Sequence, residues 1–244
     1  MQNIHNGVMA RRAFLAGSAA AGVLLLPGCQ SMGGFSMVEA IRRLLTLSSQ
    51  AAFALLTAPG GFWDSEVARF EAPELFGNSG TGLLRNLLTS TVFKQNLQQQ
   101  LNIVAEKGAA RAAPVVYQTV RKISVPDAIG LVRGGPTAAT SYLRTEMGPA
   151  LINGMIPGLT DALRVSSDPV IGQAVRALGG IDLGLMAQSV ANRADNSIWY
   201  QIGHEETAIR AHPETTKDPL LIGVFKVLYR AIVSADSQAG AQPP

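Results

Sequence analysis

Apolar residues recur along this chain every third to fourth position, and no stretch alternates apolar with polar long enough to build a half-buried strand. That pattern confines the fold to helix packed on helix: an all-α bundle of about seven to nine helices, with no significant sheet. At 244 residues the chain can bury a core without covalent staples. Its single Cys excludes an intramolecular disulfide and any zinc or iron–sulfur site that needs several thiolates.

The helices carry their own start and stop signals. Ser36-Met37-Val38-Glu39 is a capping box, in which Ser36 accepts from the amide three residues on and Glu39 reaches back. Behind it Val38, Ile41, Leu45, Ala52, Leu55 and Leu56 repeat at helical spacing until Pro59-Gly60-Gly61. Leu44 to Trp63 carries no charge for 20 residues, long enough for a membrane span. Ser48, Ser49, Gln50 and the Pro-Gly-Gly ending favour a buried core helix instead.

A long helix is expected from Ser90 to Lys122, with Leu97, Leu101, Val104, Gly108, Val115 and Thr119 on one face. Pro114 removes an amide donor inside it, which predicts a kink or a division into two helices. Ser124-Val125-Pro126-Asp127 opens the next helix as a cap followed by an acid, Gly134-Gly135 ends it, and Pro136-Thr137 opens another through Tyr142 to Met147. Asp168-Pro169 and Asp218-Pro219 are matched start signals, Asp accepting first-turn amides and Pro preset for the first helical position. After Asp218, Leu220, Leu221, Val224, Phe225, Leu228 and Ile232 follow helical spacing. Phe62 to Leu75 reads as an irregular, aromatic-rich crossing. Gly-Gly pairs at 33, 60, 134 and 179 are unevenly spaced, so they mark turns and not a repeat.

The first 28 residues read as a signal peptide. Arg11-Arg12-Ala13-Phe14-Leu15 resembles a twin-arginine export signal, and the uncharged run from Ala13 to Leu26 is 14 residues, short of the roughly 20 that a spanning helix needs. Leu26-Pro27-Gly28-Cys29 resembles a bacterial lipobox, which makes Cys29 the lipidated first residue of the mature chain. Residues 29–35 would then be a tether, 36–234 a single helical domain and 235–244 a disordered polar tail. Gln30 after the Cys implies sorting to the outer membrane by resemblance to other lipoproteins. The expected location is the periplasmic side of the outer membrane, with a soluble periplasmic protein as the alternative.

The formal charge of +3 depends on that leader: without Arg11 and Arg12 the chain has 18 basic residues against 17 acidic ones. Lys and Arg are scattered among acids and do not form the phosphate-binding patches of a nucleic-acid protein, so no nucleic-acid partner is expected.

Several segments together are similar to the bacterial domain of unknown function 4197 family, mostly exported proteins and lipoproteins. They are Arg69 to Leu75 (RFEAPEL), Asp127-Ala128 through Arg133-Gly134-Gly135, Ala138 to Leu143 (AATSYL), Ile202 through Glu205-Glu206 to Ile209-Arg210, Pro213, and Leu220-Leu221 to Val224-Phe225. The chain departs from the family pattern at Ile103 and across Gly77 to Ser90, and it continues past Phe225. The resemblance implies an all-helical exported domain and carries over no catalytic residue.

The residues themselves offer few complete chemical constellations. Ser79 in Gly77-Asn78-Ser79-Gly80-Thr81-Gly82 lacks the spacing and preceding strand of a nucleophile elbow, and Arg85 stands where a dinucleotide fingerprint needs its third Gly. The densest polar cluster is His204-Glu205-Glu206 with Arg210, His212 and Glu214. Ala208 breaks the HExxH spacing, and His204 and His212 lie about 80° apart on a helix, so a shared metal is not imposed. Glu206 and Arg210 form an i,i+4 pair in the favourable order. Glu205, on roughly the face of Ile198, Ile202 and Ile209, is expected to point inward and to pair with Arg133 or Arg144. Arg133, Gly134-Gly135 and Thr137 could instead form an anion site at a helix start.

No metal or cofactor is expected. The leading expectation is a non-enzymatic, lipid-anchored periplasmic binding or scaffolding module with an envelope protein partner. Two alternatives remain: a carrier of an apolar ligand in an interhelical cavity, with Met147, Met155 and Met186 as adaptable lining, and a hydrolase centred on His204 and Glu205.

Overall fold

In the computed structural model the described residues are 31–32, 35–69, 91–165, 169, 172 and 183–226. Arg11, Arg12, Cys29, Ser79, Asp168 and the tail 235–244 lie outside them. Ser31–Met32 (β1) and Phe35–Ser36 (β2) pair antiparallel, and this two-residue ladder is the only sheet among the described residues.

Ser36 starts α1 (Met37–Leu56) by accepting the Glu39 amide at 3.3 Å. The other half of the capping box is spent differently, because the Glu39 carboxylate accepts from Arg43 Nε at 2.9 Å. The buried stripe of α1 runs through Ile41, Leu44, Leu45, Ser48, Ala52, Phe53 and Leu56. Leu55, expected inward, is 45% exposed because Phe53 and Leu56 take the core-facing positions. No helix among the described residues is long and apolar enough to cross a membrane. Beyond α1, the four-residue α2 (Gly61–Asp64) begins at Gly60, whose φ of +83° is the left-handed conformation that Gly adopts at least cost.

The next helix, α3 (Thr91–Lys122), runs unbroken through Pro114. Pro114 and Ala110, whose carbonyl loses its partner, are both exposed, so water can take the freed acceptor and the predicted split is not needed. Asp127 itself, and not Ser124, caps α4 (Ala128–Arg133), accepting the Gly130 amide at 2.8 Å. Gly134 ends α4, and Thr137 precedes α5 (Ala138–Met147), as the turn residues predict. Two longer helices, α6 (Ala150–Val165) and α7 (Leu183–Ala211), complete the core. A 3₁₀ turn (Pro213–Thr216) leads to Asp218, which caps a last helix, α8 (219–226), by accepting the amides of Leu220 and Leu221 at 2.8 and 3.2 Å.

Four long helices form the frame: α3 lies along α6, α1 along α7, α6 also against α7, and α1 also against α3. The α3–α6 contact is close because its positions are small. A Cβ on Gly108 would stand 2.5 Å from Leu159 Cδ2, and one on Gly158 would stand 2.7 Å from Arg111 Cγ. The short helices α4 and α5 turn a corner against α1 and α7, and that corner positions the polar cluster.

Candidate functional site

Helix α4 ends with free carbonyls and α5 begins with free amides, only Gly134, Gly135, Pro136 and Thr137 apart. Thr137 makes no side-chain capping bond. The missing partners come from α7. Glu206, fully buried, accepts the Ala139 amide at 3.0 Å through Oε1 and the Thr140 amide at 2.6 Å through Oε2. One turn on, Arg210 donates to Glu206 Oε1 from Nε at 2.8 Å, to the Val132 carbonyl from Nη1 at 3.0 Å and to the Leu131 carbonyl from Nη2 at 2.9 Å. Its guanidinium also stands 5.0 Å from the centre of the Phe225 ring.

An anion therefore meets the positive start of α5 and a cation the negative end of α4, and each charge partners the other. Thr207 strengthens the corner by donating to the Pro136 carbonyl at 3.3 Å and to the Gly203 carbonyl at 2.8 Å. The anion site anticipated beside Gly134-Gly135 is thus filled by a carboxylate of the chain itself. The expected inward Glu205 is corrected to Glu206. The buried stripe of α7 passes through Asp195, Trp199, Ile202, Glu206 and Ile209, a path that the isoleucines alone did not reveal. Glu205 is half-buried, accepts from Gln201 Nε2 at 2.9 Å and pairs with neither Arg133 nor Arg144. Arg133 is exposed at the end of α4.

Arg144 instead reaches Asp195 Oδ2 at 3.0 Å and Asn196 Oδ1 at 2.6 Å, tying α5 to α7 at the far end of the same contact. Asp195 also accepts from Trp199 Nε1 at 2.9 Å. Burial pushes the Asp195 carboxyl above the ordinary Asp range, while Trp199 and Arg144 work in the opposite direction.

Between these two ties lies a surface groove of about 500 Å³. Thr137, Thr140, Ser141 and Arg144 form the α5 wall, at the spacing of one helix face. Asn196, Trp199, Tyr200, Gly203, His204 and Thr207 form the α7 wall. Trp199 is buried in the floor, whereas Tyr200 is 55% exposed at the rim. Gly203 keeps the helices close, since a Cβ there would approach Thr137 Cγ2 to 3.1 Å. Thr140 is 4% exposed and its hydroxyl has no partner. Most of these residues escaped the sequence reading. Their polar faces repeat every three to four residues on two helices, but only the helix pairing brings the faces together.

His204 Nδ1 lies 3.9 Å from Glu205, and His212 Nδ1 lies 3.6 Å from Glu214, so the two histidines face separate acids. Among the described residues no three His, Cys, Asp or Glu side chains gather as metal ligands. Met147, Met155 and Met186 are packed in the core and do not line the groove.

A second groove of 440 Å³ lies between α2 and α3, lined by Trp63, Ile103, Glu106 and Lys107 among others. There Glu106 on α3 takes the amides of Gly60 and Phe62 at the start of α2, while its Oε1 is buried without a partner. Burial pushes this carboxyl up, the two amides oppose the shift, and nearby Asp64 adds to it.

No curated protein and no solved structure matches this chain. A family model does: the one described as "Protein of unknown function (DUF4197)" aligns with residues 31–226, which takes in the α4–α5 corner, its Glu206–Arg210 clamp and both grooves, and the chain belongs to that family.

Proposed function

We propose that this protein is a lipid-anchored binding module of the bacterial envelope, its helical body held in the periplasm by a lipid on Cys29 and its α5–α7 groove serving as the contact face. The groove is the observation that carries the reading. It is of small-ligand or side-chain size, its walls mix aromatic rings with hydroxyl, amide and guanidinium groups, and its geometry is fixed at both ends by side-chain bonds between the helices. The Arg11-Arg12 leader and the Leu26-Pro27-Gly28-Cys29 sequence support the anchor and outer-membrane sorting.

The two other readings have less to stand on. A hydrolase needs a nucleophile bonded to its base, and the bond made by Glu205 comes from Gln201. A carrier needs an enclosed apolar cavity, and the methionines suggested for it fill the core.

Two linked measurements test the proposal. Metabolic labelling with palmitate is expected to mark the wild type and to fail on Cys29→Ser. Crosslinking pull-down of the tagged, lipidated chain is expected to recover a discrete partner that Tyr200→Ala loses. Label on Cys29→Ser contradicts the anchor, and equal recovery by Tyr200→Ala contradicts the contact face.

A further inference from the structure

The composition of the α5–α7 groove names a class of partner. None of its ten lining residues is Asp, Glu or Lys, whereas Arg144, Tyr200 and Trp199 are all present. Buried interface centres show the same bias, with Tyr, Trp and Arg enriched and Lys, Glu and Asp depleted. Rigid aromatic rings beside adaptable hydroxyls and amides, here Ser141 and Asn196, are also the recipe of protein-recognition surfaces made for peptides. The lining carries one fixed charge, the Arg144 guanidinium. Arg144 is half-exposed on its groove side, and His204, 62% exposed, stands at the other end. The acid that balances Arg144, Asp195, has a side chain only 8% exposed and lies behind it, so an incoming group meets the guanidinium and not the carboxylate. The helix start beneath is already neutralised by Glu206, which leaves Arg144 to set the preference.

Resting on the reading of this groove as a contact face, we propose that it docks an acidic peptide segment of a partner protein, a carboxylate meeting Arg144 and an apolar or aromatic side chain lying against Tyr200 over the Trp199 floor. A charge-assisted contact to the guanidinium N–H groups that Asp195 and Asn196 leave free fixes direction, and the aromatic wall supplies buried area.

Selection of a random twelve-residue phage-displayed library on the immobilised full-length chain tests this. Enriched peptides are expected to carry Asp or Glu beside an aromatic residue and to weaken as salt is raised. Their affinity should fall roughly tenfold or more on Tyr200→Ala, the scale of an interface hot spot. It should fall again on His204→Glu, which adds a negative charge to the groove at an exposed position that supports no core contact; circular dichroism confirms that both variants are folded. Enriched peptides without acids, peptides indifferent to both variants, or no enrichment over a blank surface each overturn the proposal. A Tyr200-dependent partner in the pull-down together with basic or uncharged peptides from the library would retain the contact face and reject this ligand class. Failure of both experiments rejects the contact face itself.

Discussion

Glu206 and Glu106 both stand on long helices and accept the first amides of a short one, Ala139 and Thr140 in one case, Gly60 and Phe62 in the other. Neither short helix has a side-chain cap of its own, since Gly60 has no side chain and Thr137 makes no capping bond. The difference lies in the second partner. Glu206 has Arg210, and removing either leaves an uncompensated buried charge. Glu206→Ala and Arg210→Ala are each expected to lower the unfolding free energy by about 3–5 kcal/mol, and the double variant by clearly less than their sum. Additive losses in urea denaturation would show that the two do not act as a pair. Among the described residues no cation forms an ion pair with Glu106. Its carboxyl is raised by burial, so the folded chain takes up a proton at a higher pH than the unfolded chain does. The ionised form is thus a cost at neutral pH, relieved as pH falls from the raised value toward the ordinary Glu range. Replacement by the neutral Gln removes that dependence. Urea midpoints from neutral pH down to that range should rise less for Glu106→Gln than for the wild type, and parallel curves would refute the assignment. The sequence made the Glu206–Arg210 spacing readable, but not its burial. An i,i+4 pair looks the same on a wet face and a dry one, and Ile202 and Ile209 stand within one turn of Glu205 and Glu206 alike.

At the scale of elements, local chemistry predicted most of the helix boundaries. Ser36 and Asp218 cap the helices their side chains suit, and Gly134 and Thr137 flank the turn between α4 and α5. The failures have physical causes as well. Pro114 was expected to kink α3 or divide it in two, and the division does not occur: the proline sits on the solvent face where its lost hydrogen bond costs least, and packing along α6 carries the helix through. Asp127 displaced Ser124 as the α4 cap because Gly130 leaves room for its carboxylate; a Cβ there would stand 2.0 Å from Asp127 Oδ2. The α3–α6 seam shows what the glycines of a helical pattern can mean. Gly108 lies under Leu159, so Gly108→Val should overpack the seam and lower stability by about 1–3 kcal/mol, against the small gain in helix propensity that replacing Gly brings on an open face. Thermal unfolding measures this, and an unchanged or higher midpoint would mean that the helices are not held so close.

For the whole molecule, the all-α architecture follows from the spacing of apolar residues. The groove was not legible in the same way. Its ten residues lie in two segments more than fifty positions apart, and they meet only because Glu206, Arg210 and Arg144 bind α7 to the α4–α5 corner. In the proposed reading, function depends on that meeting surviving in the envelope. The most direct test is photo-crosslinking in intact cells from a benzophenone amino acid at position 200, with exposed Gln118 on α3 as the comparison position. The account predicts one discrete crosslinked product from position 200, absent from position 118 and abolished by Arg210→Ala at an expression level matched to the wild type. The same products from both positions, or none from position 200, would contradict it.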